Sequence, residues 1–305
     1  MNMQRKTIWA ASAVLLLAFS CGKQETNNTK ESELVSIEVS FNIGDVLQNG
    51  TRSSNALYPE VENWIYDYYY SQFDSRGLLV QFGHRRAAVM TGDLVVTDNV
   101  TLHAGSNCTV AFVANIVPSG STYGDNPGWE SGTYQQIADN IDSYKLATFD
   151  MSERIQQAQA GTLRHMPMCG YWEGDITGNT SMTATLGRMI SRLNVTITNS
   201  GSAAVTQVTL NNASTRAYVY PQVQNLPLEV SDYTTLTDNV TIAAGQTETL
   251  YFYTAPNYCN GGGKRTSLTF TAGSKTGTID LGDNIDQDDY NLYMNTAYNF
   301  NINVK

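Results

Sequence analysis

The chain has 305 residues and a formal net charge of -10, from 18 Lys and Arg against 28 Asp and Glu. This balance argues against a nucleic-acid partner, because such binding depends on Lys and Arg that neutralise phosphates. Charged residues make up only 15% of the chain, whereas Thr, Asn, Gly and Tyr are abundant. The composition therefore favours an all-β protein, and the length is sufficient for two domains.

The amino terminus has the residue pattern of an export signal. Arg5 and Lys6 precede an apolar run from Ile8 to Phe19, and a basic start followed by such a run is typical of a secretory signal peptide. The run has about 12 residues and is shorter than the roughly 20 that a helix needs to cross a bilayer. We therefore predict that residues 1–20 form a signal peptide that is removed.

The residues around Cys21 suggest how the mature chain is attached to the membrane. Cys21 follows the small residue Ser20, with Ala18 three positions before it, and this pattern resembles the lipobox of bacterial lipoproteins. The resemblance implies that Cys21 is lipidated and that acyl chains, rather than a spanning helix, provide the anchor. The alternative is ordinary cleavage near Ser20, which leaves Cys21 as a free thiol.

A tether and a strand follow the signal. Residues 21–33 are polar and lack apolar anchors, so we predict a disordered lipoprotein tether. A half-buried strand comes next, because five apolar residues alternate with polar ones: Val35, Ile37, Val39, Phe41 and Ile43. Residues 48–55 are rich in turn formers and are expected to be exposed.

The remainder of the first half has the pattern of a β-sandwich. An apolar and aromatic run over residues 61–73 is followed by Asp74-Ser75-Arg76-Gly77 and by a second apolar run from residue 78, which predicts a hairpin. Residues 108–116 predict another strand. Short helices are expected within residues 135–147 and 151–160.

The second half has the same β-sandwich pattern. Short strands are separated by turn residues, and Tyr298, Phe300, Ile302 and Val304 alternate with asparagines up to the last residue. We place the domain change where Gly, Asp, Thr and Asn dominate, around residues 173–181. The sequence thus predicts two tandem β-sandwich domains, residues 34–178 and 179–305, with one or two short helices in the first.

Residue patterns for catalysis or metal binding are missing from the sequence. His84, His103 and His165 lie in separate segments, with no HExxH motif and no carboxylate at helical spacing beside them. No GxSxG motif occurs either. We therefore expect no catalytic residues, no metal site and no cofactor.

Three cysteines remain once Cys21 is assigned to lipid, namely Cys108, Cys169 and Cys259. In an oxidising compartment this odd number allows one disulfide and a free thiol. It also allows Cys108 to pack as a small apolar residue. The sequence leaves the pairing open.

Several short segments together resemble the fimbrillins of bacterial type V pili. They are Val61-Glu62-Asn63-Trp64-Ile65, Phe73-Asp74-Ser75-Arg76-Gly77-Leu78-Leu79-Val80, Leu102-His103-Ala104-Gly105, Tyr253-Thr254-Ala255-Pro256-Asn257 and Asn295-Thr296-Ala297-Tyr298. The resemblance implies two transthyretin-like β-sandwiches and a place in a fimbria on the outer membrane, as an anchor or as a minor or polymerising subunit.

The same resemblance implies a way of joining subunits. An arginine-specific protease cuts polymerising members after the first strand, and a strand from a neighbouring subunit fills the vacated groove. Arg52, in the exposed turn beyond the first strand, is the candidate processing position; an ordinary turn arginine is the alternative. The expected partners are other fimbrial subunits and, through the lipid on Cys21, the outer membrane, with the adhesion ligand left open.

A glycan-binding surface lipoprotein is the alternative function. It is motivated by four aromatic residues on which sugars could stack, Trp64, Tyr66, Trp129 and Trp172. Buried sandwich cores use the same residue types.

Overall fold

The computed structural model describes residues 33–43, 47–49, 64–86, 95–116, 137–163, 166–222, 230–260 and 262–305. Structural statements below refer to these residues. Cys21 and Arg52, and the predicted signal peptide and tether up to residue 32, lie outside them.

Strands dominate the described residues, as the composition predicts, and the all-β expectation is confirmed. The first half contains β1 Leu34–Ile43, β2 Leu47–Asn49, β3 Asp67–Phe73, β4 Leu79–Arg86, β5 Val95–His103, β6 Gly105–Ala114, β7 Thr148–Asp150, β8 Met168–Ile176 and β9 Ser181–Arg188. The second half contains β10 Ser191–Asn199, β11 Val205–Ser214, β12 Arg216–Tyr218, β13 Tyr233–Ile242, β14 Thr247–Thr254, β15 Ser267–Ala272, β16 Lys275–Asp280 and β17 Thr296–Val304.

Among the described residues of the first half, two short helices are present, as expected. They are α1, Ile141–Leu146, and α2, Ser152–Gln159. The side chain of Asn140 accepts a hydrogen bond from the Ser143 N–H and so caps the start of α1. Asp142 in its first turn and Lys145 in its last complement the helix dipole.

The first half is built on a seven-stranded sheet in the order β4-β3-β6-β8-β9-β1-β5. Strands β8 and β9 are joined only through the pairs Met168 with Arg188 and Cys169 with Gly187. The sheet therefore folds over at this seam into two layers, which we call the hairpin layer (β4-β3-β6-β8) and the β1 layer (β9-β1-β5).

The second half contains two four-stranded sheets, β14-β10-β17-β2 and β13-β11-β15-β16. Their inward side chains are fully buried, including Leu193 and Val195 of β10, Val208 and Leu210 of β11, and Phe252 of β14. Burial alternates over residues 299–304 of β17, as the period of two in the sequence predicts, whereas residues 191–195 of β10 are all buried. The expected sandwich-type architecture is confirmed.

The predicted hairpin between β3 and β4 is present. Asp74 Oδ1 accepts hydrogen bonds from the N–H groups of Arg76 and Leu78, at 2.9 and 3.0 Å. Gly77 has a backbone φ of +76°, a conformation that residues with a Cβ atom rarely adopt. A Cβ atom at Gly77 would also lie 2.7 Å from Cγ2 of Ile141, so glycine is required here for both backbone and space.

Cys108, Cys169 and Cys259 are all buried free thiols in this structure. Burial raises the pKa of each thiol, which disfavours the reactive thiolate. In the part of the chain that the structure describes, no group of three or more His, Cys, Asp and Glu residues is placed to hold a metal ion. None of the described helices is long and apolar enough to cross a membrane.

Candidate functional site

The groove that β1 occupies is the candidate functional site. Residues Leu34–Asn42 of β1 pair antiparallel with Val95–His103 of β5. On the other side, Glu38–Ile43 pair parallel with Ser181–Leu186 of β9. Strand β1 is thus a central strand of its layer, held by backbone hydrogen bonds along both edges.

The inward face of β1 is part of the core. Ile37, Val39 and Phe41 are each 0% exposed. The Phe41 ring meets Tyr68 of β3 and Phe112 of β6 edge-on, with ring centroids 4.7 and 5.1 Å apart. Full burial of such side chains contributes roughly 1.5 to 3 kcal/mol each, so these three contribute about 5 to 9 kcal/mol to holding β1 in place.

Val35, another predicted apolar position of β1, contributes less to this interior. Val35 is only half-buried, and the side chain of Ile43 lies outside the described set. The intervening residues Ser36, Glu38 and Asn42 are exposed. The alternation predicted from the sequence is therefore confirmed over the described part of β1.

The same stretch of chain also reaches the second sandwich. Strand β2 pairs parallel with β17, with Leu47 opposite Thr296, Gln48 opposite Ala297 and Asn49 opposite Tyr298. Residues 34–49 thus supply a central strand to one sheet and an edge strand to another. The sequence predicts a turn at Gln48 and Asn49, which is wrong, because a three-residue strand has no detectable period and its partner is about 250 residues away.

Strand β2 covers only the beginning of β17. Residues 299–304 of β17 pair with β10 on one side, and no described strand pairs with them on the other side.

A buried network ties the two layers of the first sandwich together beside the groove. The Tyr68 hydroxyl donates to Asp98 Oδ2 of β5 at 2.7 Å. Arg85 of β4 donates from Nη2 to Asp98 Oδ1 at 3.0 Å and from Nε to Oδ2 at 3.3 Å. Asp98 is 7% exposed and Tyr68 is 0% exposed.

The network sets the protonation of its members. Burial by itself raises the pKa of Asp98, but the hydrogen bonds from Arg85 and Tyr68 outweigh it and the pKa lies below its ordinary value. Burial, followed by the hydrogen bond to Asp98, raises the pKa of Tyr68. At neutral pH the site therefore holds an ionised carboxylate between a phenol and a guanidinium.

The three described aromatic residues considered for glycan stacking, Trp64, Tyr66 and Trp172, do not form an open platform. Trp64 and Tyr66 are half-buried and pack against each other with centroids 5.6 Å apart. Trp172 is half-buried and packs over Gly174, and Trp129 lies outside the described residues. Tyr171, which no sequence pattern marks, is 41% exposed and stacks on Tyr220 with ring centroids 4.7 Å apart.

These features define a β-sandwich protein whose two halves share one amino-terminal strand segment. No family model matches the sequence, and no curated protein matches it. Solved structures with this fold do exist. The tip fimbrial protein Mfa3 of Porphyromonas gingivalis, with its C terminus truncated, superposes with a TM-score of 0.58 at 15% identity, over 88% of this chain and 94% of that chain.

Two proteins of Parabacteroides distasonis have the same fold. One, described as a candidate cell adhesion protein, has a TM-score of 0.61 at 13% identity and covers 88% of each chain. The other, a fimbrial assembly protein, has a TM-score of 0.53 at 14% identity and covers 88% of this chain and 91% of that chain. The fold implied by the fimbrillin resemblance is thereby confirmed.

Proposed function

We propose that this chain is a structural component of a bacterial surface fimbria that joins its neighbours by strand exchange in the groove of β1 and β2. The observation that carries the proposal is the shared segment, in which residues 34–49 complete sheets in both halves. In sequence, Arg52 follows this segment by three residues. A single cut after Arg52 therefore separates both strands from the body together.

Physical chemistry favours refilling of the groove once it is emptied. Loss of β1 exposes the surfaces that Ile37, Val39 and Phe41 cover, along with the backbone edges of β5 and β9. Open edges and apolar grooves of this kind are ready to pair with an added strand. A donated strand with apolar residues at alternate positions restores both the burial and the ladder hydrogen bonds.

The order of the elements along the chain separates two roles. The lipidation candidate Cys21 and strand β1 lie on the same side of Arg52. A chain left intact keeps both its lipid and its own strand, and serves as a membrane-bound anchor. In a chain cut after Arg52, the same released segment carries away both the lipid and β1. The remaining body has an empty groove and serves as a subunit that accepts a neighbour's strand. Both roles are structural rather than catalytic.

The deciding measurement is the mass of the mature amino-terminal peptide from protein isolated from its native cell envelope. An acylated peptide that begins at Cys21 with β1 still attached identifies an outer-membrane anchor. A lipid-free chain that begins at Ser53 identifies an acceptor subunit. A lipid-free chain that retains residues 34–49 contradicts both roles.

Glycan binding remains the alternative function. It is less well supported, because Trp64, Tyr66 and Trp172 are half-buried. Specific retention of one polysaccharide by the purified protein on a glycan array, lost on substitution of the exposed Tyr171 by Ala, would favour it.

A further inference from the structure

Strand β5 depends on β1 for its place in the sheet. All nine residues of β5, Val95–His103, pair with β1. No other described strand pairs with β5, which is the edge strand of the β1 layer. Departure of β1 therefore removes every ladder hydrogen bond that the described structure gives to β5. The groove that β1 leaves is bordered by β5 and β9. It can accept a new strand only if β5 stays in place, so β5 must be held by other contacts.

One such contact is at Asp98, near the middle of β5. Its carboxylate faces inward, on the same side as Val100 and Leu102, which are 2% and 0% exposed. It accepts hydrogen bonds from Tyr68 and Arg85, which belong to β3 and β4 of the opposite layer. An apolar residue would suffice for packing at this position, whereas a buried carboxylate is costly unless it is paired. The pairing with two partners makes Asp98 a tie between the layers.

A second contact is at the end of β5. The N–H of His103 donates to Gln72 Oε1 at 2.9 Å, and Gln72 Nε2 donates to the His103 carbonyl at 2.7 Å. The Gln72 amide thus bonds both backbone groups of one β5 residue, as a neighbouring strand would do. Gln72 is 1% exposed and lies on β3, so it is a fixed point of the opposite layer.

We propose that Tyr68, Gln72 and Arg85 of the β3–β4 hairpin clamp β5 and keep the groove open after β1 has left. This inference rests on the proposed strand exchange. None of the three residues belongs to β1, and both of their attachment points on β5, Asp98 and His103, are contacted from the opposite layer. The clamp therefore survives the loss of β1, and the donated strand meets a wall already in position.

The first test uses the intact chain and follows amide hydrogen exchange by NMR in low concentrations of denaturant. Local opening of β1 exposes the β5 amides that bond it, while the His103 N–H stays bonded to Gln72. We expect His103 to remain protected by a factor of about ten or more beyond those amides. If the His103 N–H exchanges as fast as the β5 amides that bond β1, with the same dependence on denaturant concentration, the clamp is overturned.

The second test measures strand uptake. The chain is cut after Arg52, and the exchange of its resident segment for a fluorescent synthetic peptide of residues 34–52 is followed over time. Asp98→Asn and Gln72→Met each weaken one attachment of β5 with little change in volume. We expect either variant to take up the peptide about tenfold more slowly, because β5 must first return to its place.

The matched control is Thr101→Ala, which alters an exposed side chain of β5 that faces away from the hairpin layer. The control is expected to match the unsubstituted chain. Equal uptake rates in all four chains would overturn the clamp. If no chain exchanges its resident segment, including the unsubstituted one, strand exchange itself fails, and the protection of the His103 amide alone decides the clamp.

Discussion

Asp98 shows how one residue combines burial and charge in this protein. Its carboxylate is almost fully buried, and it is held by a phenol and a guanidinium from another layer. These hydrogen bonds stabilise the ionised form, so the pKa of Asp98 in the folded chain lies below its ordinary value of about 3.9. The free energy of unfolding must therefore depend on pH through this residue.

We expect Asp98→Asn to lower the free energy of unfolding by about 1 to 2 kcal/mol at pH 7, allowing for the solvent exposure of Arg85. Because the folded pKa is depressed, the stabilisation is complete above about pH 4 and is lost as the pH falls through the folded pKa. Urea titrations at pH 7 and near pH 2.5 measure this change, and the difference between the two chains should shrink at the lower pH.

The exposed ion pair of Arg265 with Asp280, 3.2 Å apart, provides the control. The Arg265 and Asp280 side chains are 50% and 41% exposed, so Asp280→Asn should change the stability by less than about 0.5 kcal/mol at pH 7. If the difference in the free energy of unfolding between the original chain and Asp98→Asn is the same at low pH as at pH 7, the ionised Asp98 carboxylate is not the source of the stabilisation.

Strand β1 is the element on which the proposed function depends. It is central in its layer and buries three apolar side chains, yet it belongs to an amino-terminal segment that a single cut can separate. A strand of this kind contributes to stability while it is present and leaves a receptive groove when it is removed.

We expect Phe41→Ala to lower the free energy of unfolding by about 3 to 5 kcal/mol, because it leaves a cavity against Tyr68 and Phe112. Chemical denaturation of the chain without residues 1–20 measures the loss. Ser40→Ala is the matched control, since the Ser40 hydroxyl shares an exposed hydrogen bond with Thr97 at 3.3 Å, and its effect should stay within about 0.5 kcal/mol. Equal stability of the two variants would mean that β1 is not a core element.

Several connections join the two halves at the scale of the whole molecule. Residues 34–49 supply strands to both halves, and β7 of the first half pairs with β12 of the second. The predicted division into residues 34–178 and 179–305 stays a prediction, and in the described residues strands are shared across it. Sheet membership changes between β9 and β10.

We expect these shared strands to make unfolding a single cooperative transition. All four tryptophans, at positions 9, 64, 129 and 172, precede residue 179. Tryptophan fluorescence therefore reports on the first half, whereas far-ultraviolet circular dichroism reports on strands of both. The two signals should change at the same denaturant concentration. Two separated transitions would show that the halves unfold independently.

Much of the architecture could be predicted from the sequence, because a strand with one buried face has a period of two. The alternations in β1 and β17, the Asp74–Gly77 turn and the two short helices all follow from local patterns. From the sequence, Asn115 is predicted only as part of the strand at residues 108–116. The structure shows it at φ +59°, with its side chain bonded to the carbonyls of Trp64 and Met166.

The sequence by itself determined that the chain is built of strands, where most of them lie and which of their faces are buried. Only the tertiary structure decided that Leu47–Asn49 pairs with β17, that one segment serves both sandwiches, and that Asp98 and His103 are held from the opposite layer. The physical reason is the distance along the sequence over which each kind of interaction acts. Periodicity and turn chemistry act between neighbours in sequence, whereas these contacts join residues from 30 to about 250 positions apart and form only once the layers have packed.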